Sequence, residues 1–172
     1  MDLRDELIRE HSKAQTLRII SYIGDNKSLF SELMGLFLAN EPILSQRASW
    51  PLAYIAVAQP ELVLPYQYQL ITNIKQLNNH DAIRRNTLRI WIDVMPAEDN
   101  WGELFDICYS FLRSKNEPNA IKSFAMHVMS NIVVKYPELK NELQSIIEDL
   151  LPLGKPAITS RGLKTLKLLN KI

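Results

Sequence analysis

The sequence predicts an all-α fold of stacked helical pairs, and three observations carry that prediction. Apolar residues recur at helical spacing along almost the whole chain of 172 residues. Residues 45–70 and 122–147 share one pattern: an apolar helix, a Pro-Glu-Leu (Pro60-Glu61-Leu62; Pro137-Glu138-Leu139) and a second apolar helix. Nothing reads as a strand, because Pro60 and Pro65 break the β-branched stretch around 57–64. A unit recurring every ~35–40 residues marks stacked helical pairs, since one pair cannot bury its apolar face alone.

The elements follow in order. Residues 2–10 form a short entry helix. Ser12 caps a helix that ends near Gly24, with Leu17, Ile20 and Ile23 on one face. Asn26 or Ser28 opens the next, carrying Leu29, Leu33, Leu36 and Phe37. Pro42 suits the first turn of a helix running to about Ala58, and Pro51 inside it removes a backbone donor and implies a kink. Pro65 opens a helix over 66–77. Asn78-Asn79 is a turn, Asp81 caps a helix over 82–95, and Pro96 ends it. Helices over 100–113, 120–136, 138–151 and 157–170 complete the chain, separated by a polar turn around Pro118 and by Pro152, Gly154 and Pro156.

Composition sets the class. Hydrophobic residues make up 47% and charged residues 23%, a globular rather than a disordered balance. A net charge of +1 gives the whole molecule no strong pull on nucleic acid or acidic lipid. One cysteine, Cys108, excludes an intramolecular disulfide and fits a reducing compartment; on an apolar helix it reads as a buried, inert thiol. Residues 1–10 are charged and lack the apolar stretch of a secretory signal, and no apolar run approaches the ~20 residues of a membrane span. The expectation is a soluble cytoplasmic protein with no membrane partner, organised as one domain over 1–172.

Overlaying the first helices places 46–53 over 84–91, 123–130 and 160–167. Leu52, Ile90, Met129 and Leu166 then coincide, with Ile20 in the first pair, and small residues recur at Ala48, Ala125 and Gly162. Arg47, Arg85 and Arg161 coincide as well, whereas Gln15 and Phe124 interrupt the series. This pattern resembles the HEAT and armadillo-type repeats, whose first helix carries an arginine that stacks in a ladder. The resemblance covers about 12–172. It implies a right-handed α-α superhelix, a solenoid of about four HEAT-like helical pairs plus a terminal helix, with the second helices lining the concave side. It also implies a non-catalytic scaffold for a protein or peptide partner.

The second helices are acid-rich, with Glu32, Glu103, Asp106, Glu138, Glu142, Glu148 and Asp149, partly offset by Lys75, Arg113 and Lys140. The first helices are base-rich, with Lys13, Arg18, Arg47, Arg84, Arg85, Arg89, Lys122, Arg161, Lys164 and Lys167. A partly acidic concave surface would suit a basic partner, or the charge simply serves solubility. Tyr66 and Tyr68 are two apart and cannot share a helical face, so one of them faces out or meets a neighbouring helix. The expected partner contacts are Tyr66, Gln69, Asn73, Glu103, Asp106 and Tyr109.

Chemistry finds little support. His11, His80 and His127 are scattered, His80 reading as a solvated turn residue, and one cysteine cannot build a thiolate zinc cluster. The five glycines are isolated and form no phosphate loop. The expectation is therefore no enzyme, metal or cofactor. Alkylated-base DNA glycosylases of HEAT-like build offer a weaker alternative through Trp50, Trp91, Trp101, Asp93 and Arg84, Arg85 and Arg89. Yet Trp91 and Asp93 point in different directions, and the second helices lack the basic density that phosphate binding requires, so nucleic acid is an unlikely partner. Leu163, Leu166, Leu168, Leu169 and Ile172 spread over more than one face of the last helix, which leaves a self-associating structural protein, a homodimer, as the other alternative.

Overall fold

A computed structural model describes every residue of the chain except Leu77. All regular structure among the described residues is helical. The helix expected over 66–77 stops at Ile74, with Lys75 as its C-cap, and its expected last residue, Leu77, lies outside the described residues. Contacts divide the chain into two compact units, Met1–Pro96 and Ala97–Ile172.

The first unit holds α1 (Leu3–Arg9), α2 (Lys13–Ile23), α3 (Lys27–Leu38), α4 (Pro42–Ala58), α5 (Pro60–Val63), a 3-10 turn at Leu64–Tyr66, α6 (Gln67–Ile74) and α7 (Asp81–Asp93). Its centre is α4, which touches α1, α2, α3, α5 and α7. Enclosed by these neighbours, α4 buries Leu44, Ala48, Leu52, Ile55 and Ala56 together with Ser45 and Ser49. It runs unbroken through the buried Pro51.

The carbonyl end of α1 is held by two side chains from other helices. Gln15 Nε2 donates to Glu6 O at 2.8 Å, and Arg47 Nη1 donates to Leu7 O at 3.0 Å and Ile8 O at 2.6 Å. These carbonyls lie in the last turn, where a helix has no partners of its own. The clamp also corrects the expected face of α2. Leu17 is 50% exposed, and the inward stripe is Gln15, Thr16, Ile19 and Ile23. A polar residue takes the inward position because α1 supplies its hydrogen-bond partners.

Two further expectations change. The helix after Gln59 begins at Pro60, and Pro65 sits in a 3-10 turn. His80, read from sequence as solvated, is half-buried and is the N-cap of α7 in place of Asp81: its Nδ1 accepts from Ala82 N at 3.2 Å, and its own N–H donates to Asn40 Oδ1 at 2.9 Å.

The second unit holds a 3-10 turn at Glu98–Asn100, α8 (Trp101–Arg113), α9 (Asn119–Lys135), a 3-10 turn at Pro137–Leu139, α10 (Lys140–Leu150), a 3-10 turn at Leu151–Leu153 and α11 (Pro156–Leu169). Here α9 is central and touches α8, α10 and α11. Counted from their C-caps, Gln59 and Tyr136, the buried positions of α4 and α9 coincide one for one, with Ser45 over Lys122, Ala48 over Ala125 and Leu52 over Met129. Gly162 is the small residue that lets α11 approach: a Cβ there would lie 3.1 Å from both Ile147 Cγ2 and Leu151 Cδ2.

The turns repeat as well. The C-caps Gly24, Gln59, Val94 and Tyr136 donate their backbone N–H to Ile20, Ile55, Ile90 and Ile132. In this register Ile90 falls over Ile55 rather than Leu52, and Arg85 falls over Trp50 rather than Arg47. The sequence overlay of α7 had slipped by nearly one helical turn, which keeps the same face inward and so leaves the apolar pattern intact. Arg47, expected in an arginine ladder, instead clamps α1, and in this register Arg85 does not share its position. Side chains also tie turn to turn within each unit: Gln59 Nε2 donates to Gly24 O across 35 residues, Asn40 Nδ2 to Asn78 O across 38, and Tyr136 Oη to Glu98 across 38.

Candidate functional site

The structure places the expected contact residues in both units. In the first, Tyr66 ends the 3-10 turn before α6, and its ring packs against Phe30 with centroids 6.0 Å apart. It walls a cavity of about 210 Å3 with Lys27, Phe30, Glu61, Leu62 and Pro65. Tyr68 is the outward tyrosine, 63% exposed. Gln69 and Asn73 come together at the end of α6: Asn73 Nδ2 donates to Gln69 O at 2.9 Å, and Asn73 O accepts from Asn79 Nδ2 at 2.6 Å.

In the second unit Glu103 and Asp106 are exposed on α8 and Tyr109 is half-buried. Asp106 and Tyr109, three apart on one helix face, border an open groove of about 540 Å3 with Ser110, Arg113 and Ser114. Glu103 lies outside that lining.

The acid of this unit concentrates on two touching helices, α8 and α10. Both are amphipathic. They bury Leu104, Ile107, Cys108 and Phe111, and Leu143, Ile146, Ile147 and Leu150. Their solvent sides carry Glu103 and Asp106, and Glu142, Glu148 and Asp149; Arg113 is exposed on α8, and Lys140 is half-buried. The bases of the first helices are partly committed elsewhere. Arg47 holds α1, Arg18 and Arg9 flank Glu6, and Arg84 pairs with Asp81 at 2.6 Å.

A cluster of opposite character closes α9. Lys135 and Tyr136 both donate to Glu98, Lys135 Nζ lies 5.5 Å from the Trp101 ring centroid, and the Trp101 and Tyr136 rings meet edge-on at 6.2 Å. The hydrogen bonds from Lys135 and then Tyr136 hold the Glu98 carboxyl below the usual range, and the same carboxylate pushes the Tyr136 phenol up.

The residues weighed for chemistry stay apart. His11 meets the Trp50 ring at 5.7 Å, and His80 caps α7. Trp91 is fully buried and Asp93 exposed, so Trp91 offers no ring face on which a base could stack. Cys108 is buried, and burial pushes its thiol up, away from the reactive thiolate. Among the described residues no group of three or more His, Cys, Asp or Glu could hold a metal ion, and no helix is long and apolar enough to cross a membrane.

Sequence reasoning missed one residue of note. Lys122, by residue type one of the bases of the first helices, is 6% exposed and lines a cavity of about 570 Å3 in the second unit. The signal lay in the overlay itself, which sets Lys122 over Ser45, at a position both central helices bury.

The model of one family, the HEAT repeat domain, matches residues 3–168. No curated protein and no solved structure matches the chain.

Proposed function

Since the chain belongs to the HEAT repeat family, an all-α helical-repeat fold, we propose that it is a non-catalytic scaffold holding a protein or peptide partner on a partly acidic surface of its second helices. The observation that carries this reading is the exposed acid on α8 and α10, set opposite the apolar stripes those helices bury. Such a surface is complementary to a basic segment, and charge complementarity steers encounter and selects partners. Glu103, Asp106 and Tyr109 are the contacts on α8; Tyr66, Gln69 and Asn73, with the outward Tyr68 beside them, are those at α6. Helix-borne contacts are preformed, so binding orders little of the scaffold. The match runs without a break across both compact units, which supports treating them as one functional domain. A single reduced, buried cysteine suits a cytoplasmic setting.

Affinity capture from a lysate of the source cell tests the reading, with Glu103→Lys/Asp106→Lys as the control. A partner retained by the native chain and lost by the variant, with helical circular dichroism unchanged, supports it. Equal retention by both removes α8 as the site.

One observation favours a second reading, self-association. Leu163, Leu168 and Ile172 are 55%, 36% and 42% exposed at the end of the chain. Light scattering over a range of concentrations separates the two, since a monomer throughout eliminates the homodimer.

A further inference from the structure

The cavity of about 570 Å3 in the second unit has the build of a ligand site, within the ~300–1,000 Å3 usual for small-molecule pockets. It opens where the end of α8, the segment before α9, the start of α9 and the end of α10 converge. Leu112, Ile146 and Leu150, each under one-tenth exposed, give it an apolar floor. Lys115 and Lys155 stand at its exposed rim, and Glu117 and Asp149 also border it.

Two independent features inside it favour an anion. The first is Lys122, nine-tenths buried, lining the cavity, with no hydrogen bond or ion pair among the described residues. Its stem is held out of water while its charge has only that of Glu117 near it, so a second anion at its tip would be stabilised. Burial also lowers the Lys122 pKa from the ordinary lysine range, with Glu117 opposing the shift. The second is the start of α9, a helix of 17 residues whose first turn has no side-chain cap, with Asn119 in the cavity wall. An uncapped helix start presents N–H groups and a partial positive charge to an anion.

The apolar floor, which offers no hydrogen-bond partners, disfavours phosphate and other small hydrated ions. The geometry points to this cavity as the site of an apolar monocarboxylate. Its carboxylate would sit on Lys122 and the first turn of α9, and its body on Leu112, Ile146 and Leu150. The free end of a peptide with an apolar last residue and a short aliphatic acid share this chemistry.

The test uses the whole chain and three probes: N-acetyl-Ala-Ala-Leu with a free carboxylate, the same peptide as its C-terminal amide, and octanoate. Binding is read from the amide resonances of Asn119, Ala120 and Ile121. A free acid should bind and the peptide amide bind at least about tenfold more weakly. Binding of the peptide acid assigns a chain end, and binding of octanoate alone a small acid; either supports the site. Lys122→Met keeps the buried volume, and Leu153→Trp fills the mouth from a residue that is 63% exposed. Each should weaken the acid by at least about tenfold. The proposal is overturned if neither acid binds at millimolar concentration, if acid and amide bind alike, or if a folded variant of either kind binds as the native chain does.

Discussion

Gln15 donates through Nε2 to Glu6 twice, to the carboxylate at 2.6 Å and to the main-chain carbonyl at 2.8 Å. The residue that interrupts the arginine series in the sequence is thus the one that docks α1. The amide bond from Gln15, followed by the charges of Arg18 and Arg9, holds the Glu6 carboxyl below the usual range. A group with a lowered folded pKa contributes stability that is fully present above its unfolded value and lost as pH falls through the folded one. Gln15→Ala should therefore bring the Glu6 titration midpoint, followed by NMR, back toward the ordinary glutamate value and shrink the stability lost on acidification. An unchanged Glu6 midpoint would refute this assignment.

Arg47 completes the same clamp. Its guanidinium bonds to Leu7 O and Ile8 O replace the ladder role expected from its type. Arg47→Met keeps the stem and removes a charged donor, at a cost of about 1.5–3 kcal/mol. Hydrogen exchange should show the amides of α1 protected least in the variant while those of α9 keep their order. Loss of protection spread evenly over the chain would contradict a local clamp.

Gly24 closes α2 with φ +51 and ψ −125, a conformation that side chains resist, and its carbonyl accepts from Gln59. Gly24→Ala is expected to lose about 1–3 kcal/mol in chemical denaturation. Gln59→Ala, which removes only the bridge, should lose about 1 kcal/mol. A neutral Gly24→Ala would mean the turn relaxes without strain.

Gly162 faces α10 and the turn after it, with contacts of 3.1 Å waiting for any Cβ. Gly162→Leu should destabilise by about 1–3 kcal/mol through overpacking, despite leucine's better helix propensity. A denaturant midpoint at or above the native value would show that α11 can shift freely.

These contacts also show what the sequence could and could not reveal. Helix existence was legible because periodicity and caps agree: Ser12 and Asn26 cap as read, and α4 spans Pro42–Ala58 as its prolines and turn residues indicated. The Pro-Glu-Leu pair marked equivalent turns, and Gly162 marked a close helix contact. The inward face of α2 was not legible, because Gln15 is buried by partners on α1 that no local pattern displays. The register of α7 slipped because a shift of one turn preserves apolarity. Lys122 was hidden by its own chemistry, since a lysine reads as solvent-facing until its position in the central helix is fixed by the repeat. Of the expected contact surface, the exposed acid of α8 was readable from residue types, whereas Asn73's commitment to the end of α6 was not.

The acidic face of α8 is most directly tested by site-specific photo-crosslinking in the source cell. A photoreactive residue is placed at Asp106 in one chain and at Lys164, an exposed base on α11, in another. The scaffold reading predicts that a basic protein or peptide is trapped from Asp106 and not from Lys164. Trapping from Lys164 alone, or from neither position, would contradict it.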